Sequence, residues 1–293
     1  MNVTLGLLLA LGCALTTNLG FLYKHRGACE SPAVDFRHPL RSGRQLFSSR
    51  LFAVGMAIAA GSWMLHIAAM AMIPLSLVQA VLAGGVVLLA ITAERMLGCS
   101  IGRRQWAGLG MTAGGLILLG ISLPAVHGAH SRFSVPGMIA FEAALIAAGS
   151  LLILGPRIGA PTEHHGVMLG AASGILFGVS DISLKALSGM VGAHGVIGLL
   201  SPWLIVTVAA SVVAFFSSAR SLQASQPVAV IAVTSTAATV SGIIGGIVVF
   251  GDPMPDHLTG IAVQCAAFIL VVLAAWFTPA PARAVGVAAP SAA

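Results

Sequence analysis

Ionisable residues are scarce in this chain, and a few stand where an ion is costly. Only eight Asp and Glu occur among 293 residues. Three of these acids, Glu94, Glu142 and Asp181, fall inside long apolar runs, together with His66 and Lys185. A charged group at membrane depth must be paired, protonated or turned to water, so such residues mark solute pathways and proton relays. Asp181 and Lys185 stand at i, i+4, where an acid and a base on one helix meet. The pair reads either as a charge couple exchanged on solute or proton binding, or as mutual neutralisation with Lys185 reaching to the interface. Glu142 has no opposite charge within a turn; it is either a protonated acid bonded to a neighbouring helix or a proton-exchanging group. His66 bonds a neighbouring helix or titrates.

Other chemistry finds little purchase. There is no nucleophile elbow, P-loop, HExxH or paired-cysteine motif, so no catalytic residue, metal site or cofactor is expected, and the chain does not read as an enzyme. The HxxH of His127 and His130 lies in a short loop with Ser and Gly and reads as surface. His194 and His257, with Asp252 and Asp256, form at most a weak cation-collecting surface.

The same apolar runs carry polar and small residues at helical spacing. Gly170, Gly174 and Gly178, then Asp181 and Lys185, fall within about 80° of one helix face. Gly6, Ala10 and Ala14 make a similar stripe that continues to Thr17. Small residues let helix backbones approach closely in lipid, so both stripes are expected to pack helices. Thr234, Ser235, Thr236, Thr239 and Ser241 crowd one run and suggest a polar pathway wall. The solute-pathway candidates are therefore Asp181, Lys185, Glu142, His66, Gln79, Thr234, Ser235 and Thr239. Asn18, Gln223 and Gln264 read as interhelical hydrogen-bond formers, Trp63 and Trp203 as packing or interface residues, and Arg220 as reaching interfacial phosphates.

What must position these groups follows from composition. Apolar residues make up 58% of the chain and charged residues 8%, with a mean hydropathy of +1.01. That excludes a soluble domain and implies an all-α, polytopic transmembrane helix bundle. The net charge of +6 points to basic cytoplasmic loops, not to nucleic acid. Cys13, Cys29, Cys99 and Cys265 lack metal-ligand spacing, and no disulfide is expected. The first apolar run has no basic segment before it and reads as a retained helix.

Nine spans are expected: Asn2–Leu22, Leu51–Met72, Leu75–Leu97, Trp106–Leu123, Gly137–Leu154, Gly166–Leu187, Trp203–Ala224, Val228–Phe250 and Leu258–Phe277. With these spans, twelve loop Lys and Arg, from Lys24 to Arg283, share one side, and only Arg132 falls on the other. The basic side should be cytoplasmic, placing the N-terminus outside and the C-terminus inside the cell membrane. Residues 278–293, rich in Ala and Pro, read as a disordered tail.

Moving the second half back by 153 residues sets Leu204 on Leu51, Ala224 on Ala71, Pro227 on Pro74 and Gly251 on Gly98. The matched spans are an odd number apart, so they enter the membrane from opposite sides. The outline is a 4+1+4 inverted-topology repeat: about 2–123, a linking helix 137–154, and 166–277, together one transporter domain 1–277.

With these segments in place, the chain resembles the drug/metabolite transporter superfamily, and its nine-helix layout resembles bacterial relatives of NIPA-type magnesium transporters. The resemblance rests on GLLLALGCALTTNLGFLYKHRG, HIAAMAMIPLSLVQAV, LGAASGILFGVSDISLKAL, and SARSLQASQPVAVIAVTST with VVFGDPM. One helix of the ten-helix members is replaced here by the basic loop Lys24–Arg50. The family's acid after the third helix of each repeat is matched by Gly251-Asp252. The first half has Gly98-Cys99 instead, with Glu94 nearby. The inverted repeat, the two small-residue stripes and the polar eighth span point to secondary transport of a small organic solute, outward, by alternating access. Magnesium or another divalent cation is the alternative; a non-transporting scaffold or lipid-handling protein is a third. The expected partners are the bilayer, the solute and a coupling proton or cation, with a homo-oligomer left open.

Overall fold

The computed structural model describes residues 3–35, 37–85, 103–122, 132–159, 161, 164–225 and 227–277. Most of these are helical, with no strand among the described residues. The helices are α1 (Val3–Cys29), α2 (Pro39–Ser48), α3 (Arg50–Met70), α4 (Leu75–Gly85), α5 (Arg103–Ser122), α6 (Val135–Leu154), α7 (His165–His194), α8 (Pro202–Ala224), α9 (Pro227–Phe250) and α10 (Leu258–Phe277). Six of them, α1, α3, α6, α7, α8 and α9, are long and apolar enough to cross a membrane. α4 and the cores of α5 and α10 are apolar but shorter. Among the described residues the protein is therefore a membrane-embedded, all-α helical bundle.

Local chemistry sets the ends. Lipid leaves a helix terminus no water to bond, so caps must come from the chain. Ser134 accepts from Gly137 N–H, and Ser201 accepts from Trp203 N–H, in each case beside a proline in the first turn. Proline suits that position because its missing N–H would have no helical partner. Gly251 ends α9 at φ +61°, a conformation open to glycine.

Three boundaries differ from expectation. α1 continues through Tyr23–Cys29, where the sequence suggested an end at Leu22; nothing breaks the helix before Pro32, and Lys24 Nζ lies over the Phe21 ring, 4.1 Å from its centroid. α7 runs to His194 rather than Leu187, because Lys185 is accommodated inside the bundle and does not end the span. The basic loop Lys24–Arg50 contains α2, whose Leu46 is buried while Arg41 is exposed, an amphipathic helix opened by Pro39.

α1 packs along α3, α7 along α8 and α9, α5 along α10, and α6 along α7. The α7 stripe lies against α8 and α9, and the α1 stripe against α4 and the turn before it. A side chain at Gly174 would strike the Thr234 carbonyl of α9, and one at Gly178 would strike Ser241. Gly170 lies against Ser221 and Thr234. On α1, Gly6 faces Met72 and Ile73, Ala14 faces Gly85 of α4, and Ala10 is buried. The main apolar core joins α1, the α3–α4 turn, α4, α7 and the ends of α8 and α9. Glu94, Gly98, Cys99, His127, His130 and the tail 278–293 lie outside the described residues.

Candidate functional site

Six helices leave a cavity of about 620 Å³ between them. α1, α3 and α4 form one wall, α7, α8 and α9 the other, and α2 contributes Gly43 and Phe47 at the end that carries Lys24. Most of the lining is apolar or aromatic. Its polar residues include a connected set at Asp181, His66 and Gln79.

Asp181 sits in the middle of α7, and its two carboxylate oxygens are engaged separately. Oδ1 lies 3.0 Å from His66 Nε2 of α3, and Oδ2 accepts a 2.7 Å hydrogen bond from Gln79 Nε2 of α4. Gly242 of α9 leaves the room that Gln79 occupies, since a Cβ there would come within 2.5 Å of its Cγ. The side chains of His66 and Asp181 keep only 6% and 16% of their exposure. Hydroxyls flank them. Ser62 donates to the Cys13 carbonyl at 3.0 Å and bonds Thr17, and Ser180 bonds Ser211 of α8 at 2.7 Å.

Of the residues singled out from the sequence, the cavity gathers Asp181, His66, Gln79, Thr234, Ser235 and Thr239 on its wall. Thr234 also donates to the Gly170 carbonyl at 2.9 Å and so ties α9 to α7. Lys185 and Glu142 are not on that wall. Glu142, on α6, is buried and accepts a 2.5 Å hydrogen bond from Ser183. Lys185 neither pairs with Asp181 nor reaches an interface. It is fully buried, and Nζ donates to the carbonyls of Met70 at 2.7 Å and Ile73 at 2.9 Å. Those carbonyls belong to the end of α3 and the turn beyond it, where a cation suits both the orphan acceptors and the helix dipole.

Asp252 completes that turn from the other side. Its Oδ2 accepts from Ser76 N–H at 2.7 Å, in the first turn of α4. An acid at a helix N-terminus is favourable for the converse reason. Asp252 is 3% exposed, so it is not part of a cation-collecting surface. Base and acid thus staple one turn, Ala71–Pro74, to α7 and to the end of α9.

The opposite end of the cavity is held differently. Gln223, at the end of α8, accepts from Val34 N–H at 2.8 Å and donates to the carbonyls of Ala28 and Pro32 at 3.1 Å each. Phe47, Phe52, Phe215 and Phe216 form a ring cluster beside it.

Sequence reasoning passed over Cys13, Ser62, Ser180, Thr207, Ser211 and the aromatic wall. The signal was present as polar pairs at i, i+4, Ser62/His66 and Thr207/Ser211, on otherwise apolar spans. Among the described residues no group of three or more His, Cys, Asp or Glu is placed to hold a metal ion. No protein-family model, curated protein or solved structure matches the chain.

Proposed function

We propose that this protein is a secondary transporter of the cytoplasmic membrane, moving a small organic solute by alternating access through the cavity around Asp181. One observation carries the reading: a half-buried acid on α7 faces a solute-sized cavity and bonds to α3 and α4 across it. A cavity of this volume, mostly apolar with a few convergent polar groups, is what small-molecule sites look like. An ionisable pair at membrane depth has little reason to line a cavity in a mere scaffold.

Helix pairing supports the 4+1+4 inverted repeat and the nine-span count. α1 lies on α3 as α7 lies on α8, and the α1 stripe meets α4 as the α7 stripe meets α9. α5 lies against α10, its counterpart. Such a repeat is the frame of alternating-access carriers and of the drug/metabolite superfamily the sequence resembles. Two unlike contact sets tie the helices outside the cavity lining, the charged staple at the α3–α4 turn and the Gln223 clamp; in this proposal they release independently. A proton held between His66 and Asp181 is the candidate coupling ion. On this reading the Gln223 end is the cytoplasmic one, which the bias of the basic loops supports.

Reconstitution tests this. Purified protein in liposomes should give saturable flux for at least one solute of a broad metabolite panel. Asp181→Asn should lower that flux by about tenfold or more while the protein stays folded, since a charge-assisted bond of about 1.5–3 kcal/mol is lost. No flux and no binding across the panel would sink the proposal. A rise of a magnesium-sensitive dye inside the liposomes would move the assignment to cation transport.

A further inference from the structure

From Lys24 to Arg50 the chain carries six Lys and Arg against two acids, Glu30 and Asp35. α2 lies within this stretch, and its packing fixes its level in the bundle. Leu46 is buried in one cluster with Ala28, Phe52 and Ala219, which stand near the ends of α1, α3 and α8. The Phe47 ring meets the Phe52 ring edge to face at 5.6 Å. All three helices are long and apolar enough to cross a bilayer, and the chain between α1 and α3 turns round at one face of it. α2 therefore lies at the boundary between hydrocarbon and water.

The surface of α2 is divided. Ser42 and Leu46, at i, i+4, are buried, and Ser42 accepts from Asp35 N–H at 3.0 Å. Leu40 and Phe47, seven residues apart and so nearly in line on the helix, are 90% and 51% exposed. Arg44 and Arg41 follow at about 40° and 100° beyond Leu40, and both are exposed. Among the described residues neither is paired with an acid. Asp35 is turned instead to the His38 ring and the Arg37 N–H.

An apolar edge beside a basic edge, at the ends of three spans, is the pattern of a helix that lies in the membrane interface. The apolar edge suits acyl chains, and a guanidinium takes two phosphate oxygens with parallel N–H bonds. Every phospholipid has a phosphate, but a zwitterionic one brings an ammonium that the surrounding bases repel. A headgroup of net negative charge brings none, and basic clusters next to spans are drawn to it.

We propose that α2 is a docking surface for anionic phospholipid, with Arg41 and Arg44 on the headgroup phosphate and Leu40 and Phe47 against the acyl chains.

Tritiated dioleoylphosphatidylglycerol titrated into the full chain in neutral-detergent micelles tests this, with dioleoylphosphatidylcholine as the comparison. The anionic lipid should bind about tenfold or more tightly, and the preference should shrink between about 0.05 and 0.5 M salt. Arg41→Gln and Arg44→Gln together should weaken its binding by roughly tenfold or more, the worth of two bases at a membrane surface. Arg157→Gln, at an exposed base after α6, should change it less than about twofold. All three positions are exposed, so the variants should melt with the unaltered protein. A photoreactive headgroup on the same lipid, used on the unaltered protein, should label the peptide 37–50. A brominated-chain form should quench a tryptophan placed by Leu40→Trp. Equal binding of the two lipids overturns the proposal, as does unchanged affinity in the double variant, absence of quenching, or labelling confined to other basic loops. Displacement of the lipid by an equal concentration of inorganic phosphate overturns it in favour of a free-phosphate site. Displacement by a short RNA at matched phosphate does so in favour of a soluble polyanion. The transport reading stands or falls separately, on flux.

Discussion

Removing the Lys185 ammonium leaves two carbonyls without a donor in a place water does not reach. Lys185→Met should therefore destabilise the protein by about 1–3 kcal/mol, the cost of stranding buried acceptors. Thermal unfolding in detergent reads the loss, and solute affinity should stay unchanged, because Lys185 is off the cavity wall. A changed affinity with unchanged stability would contradict that placement. Asp35, in the loop before α2, behaves as an exposed carboxylate should. The His38 imidazole bonded to its side chain, and then the Arg37 N–H, hold its carboxyl below the ordinary aspartate value. A lowered value means that the stabilisation is present above the unfolded value of about 3.9 and is lost as pH falls through the folded one. Carboxyl-carbon NMR titration should give Asp35 a midpoint below that of a peptide aspartate; one at or above it would refute the contact. Type and spacing made Asp181 and Lys185 legible as expensive residues. Their partners were not legible, because i, i+4 proximity competes with contacts from α3 and α4 that lie more than a hundred residues away in the chain.

At the scale of helices, the close approach of α7 to α9 depends on glycines that a side chain would displace. Gly174→Leu should force α7 off the Thr234 carbonyl and cost about 1–3 kcal/mol. Gly61, on α3, has nothing within 4 Å of where a Cβ would be. Gly61→Ala should leave unfolding unchanged or raise stability by up to about 1 kcal/mol, through helix propensity. Paired melting curves check both; equal losses at the two positions would show that the stripe is not a packing surface. Helix existence and position were readable from apolar runs and proline punctuation, so α8, α9 and α10 begin within a residue of expectation. α2 was missed because a ten-residue amphipathic segment among basic residues reads as loop until something buries Leu46. The long ends of α1 and α7 were missed for a related reason. A polar residue ends an apolar run without ending a helix.

At the scale of the whole molecule, orientation is the property most easily checked. Cys29 is exposed at the end of α1, beside the basic loops. In sealed cells an impermeant maleimide should leave it unmodified, and in inside-out vesicles it should react; the reverse pattern would invert the proposed topology. By itself the sequence determined that this chain lives in a bilayer, because no water-soluble core could absorb so much apolar surface. It also determined where most of the long apolar helices begin, since hydropathy and proline punctuation are local properties. Which charges face a cavity was decided only by the tertiary structure. Asp181 and Lys185 lie on one face of one helix, a single turn apart. The first lies beside a gap between two helix layers, and the second lies under the α3–α4 turn. That difference depends on how far neighbouring helices stand away, and no periodicity within α7 encodes it.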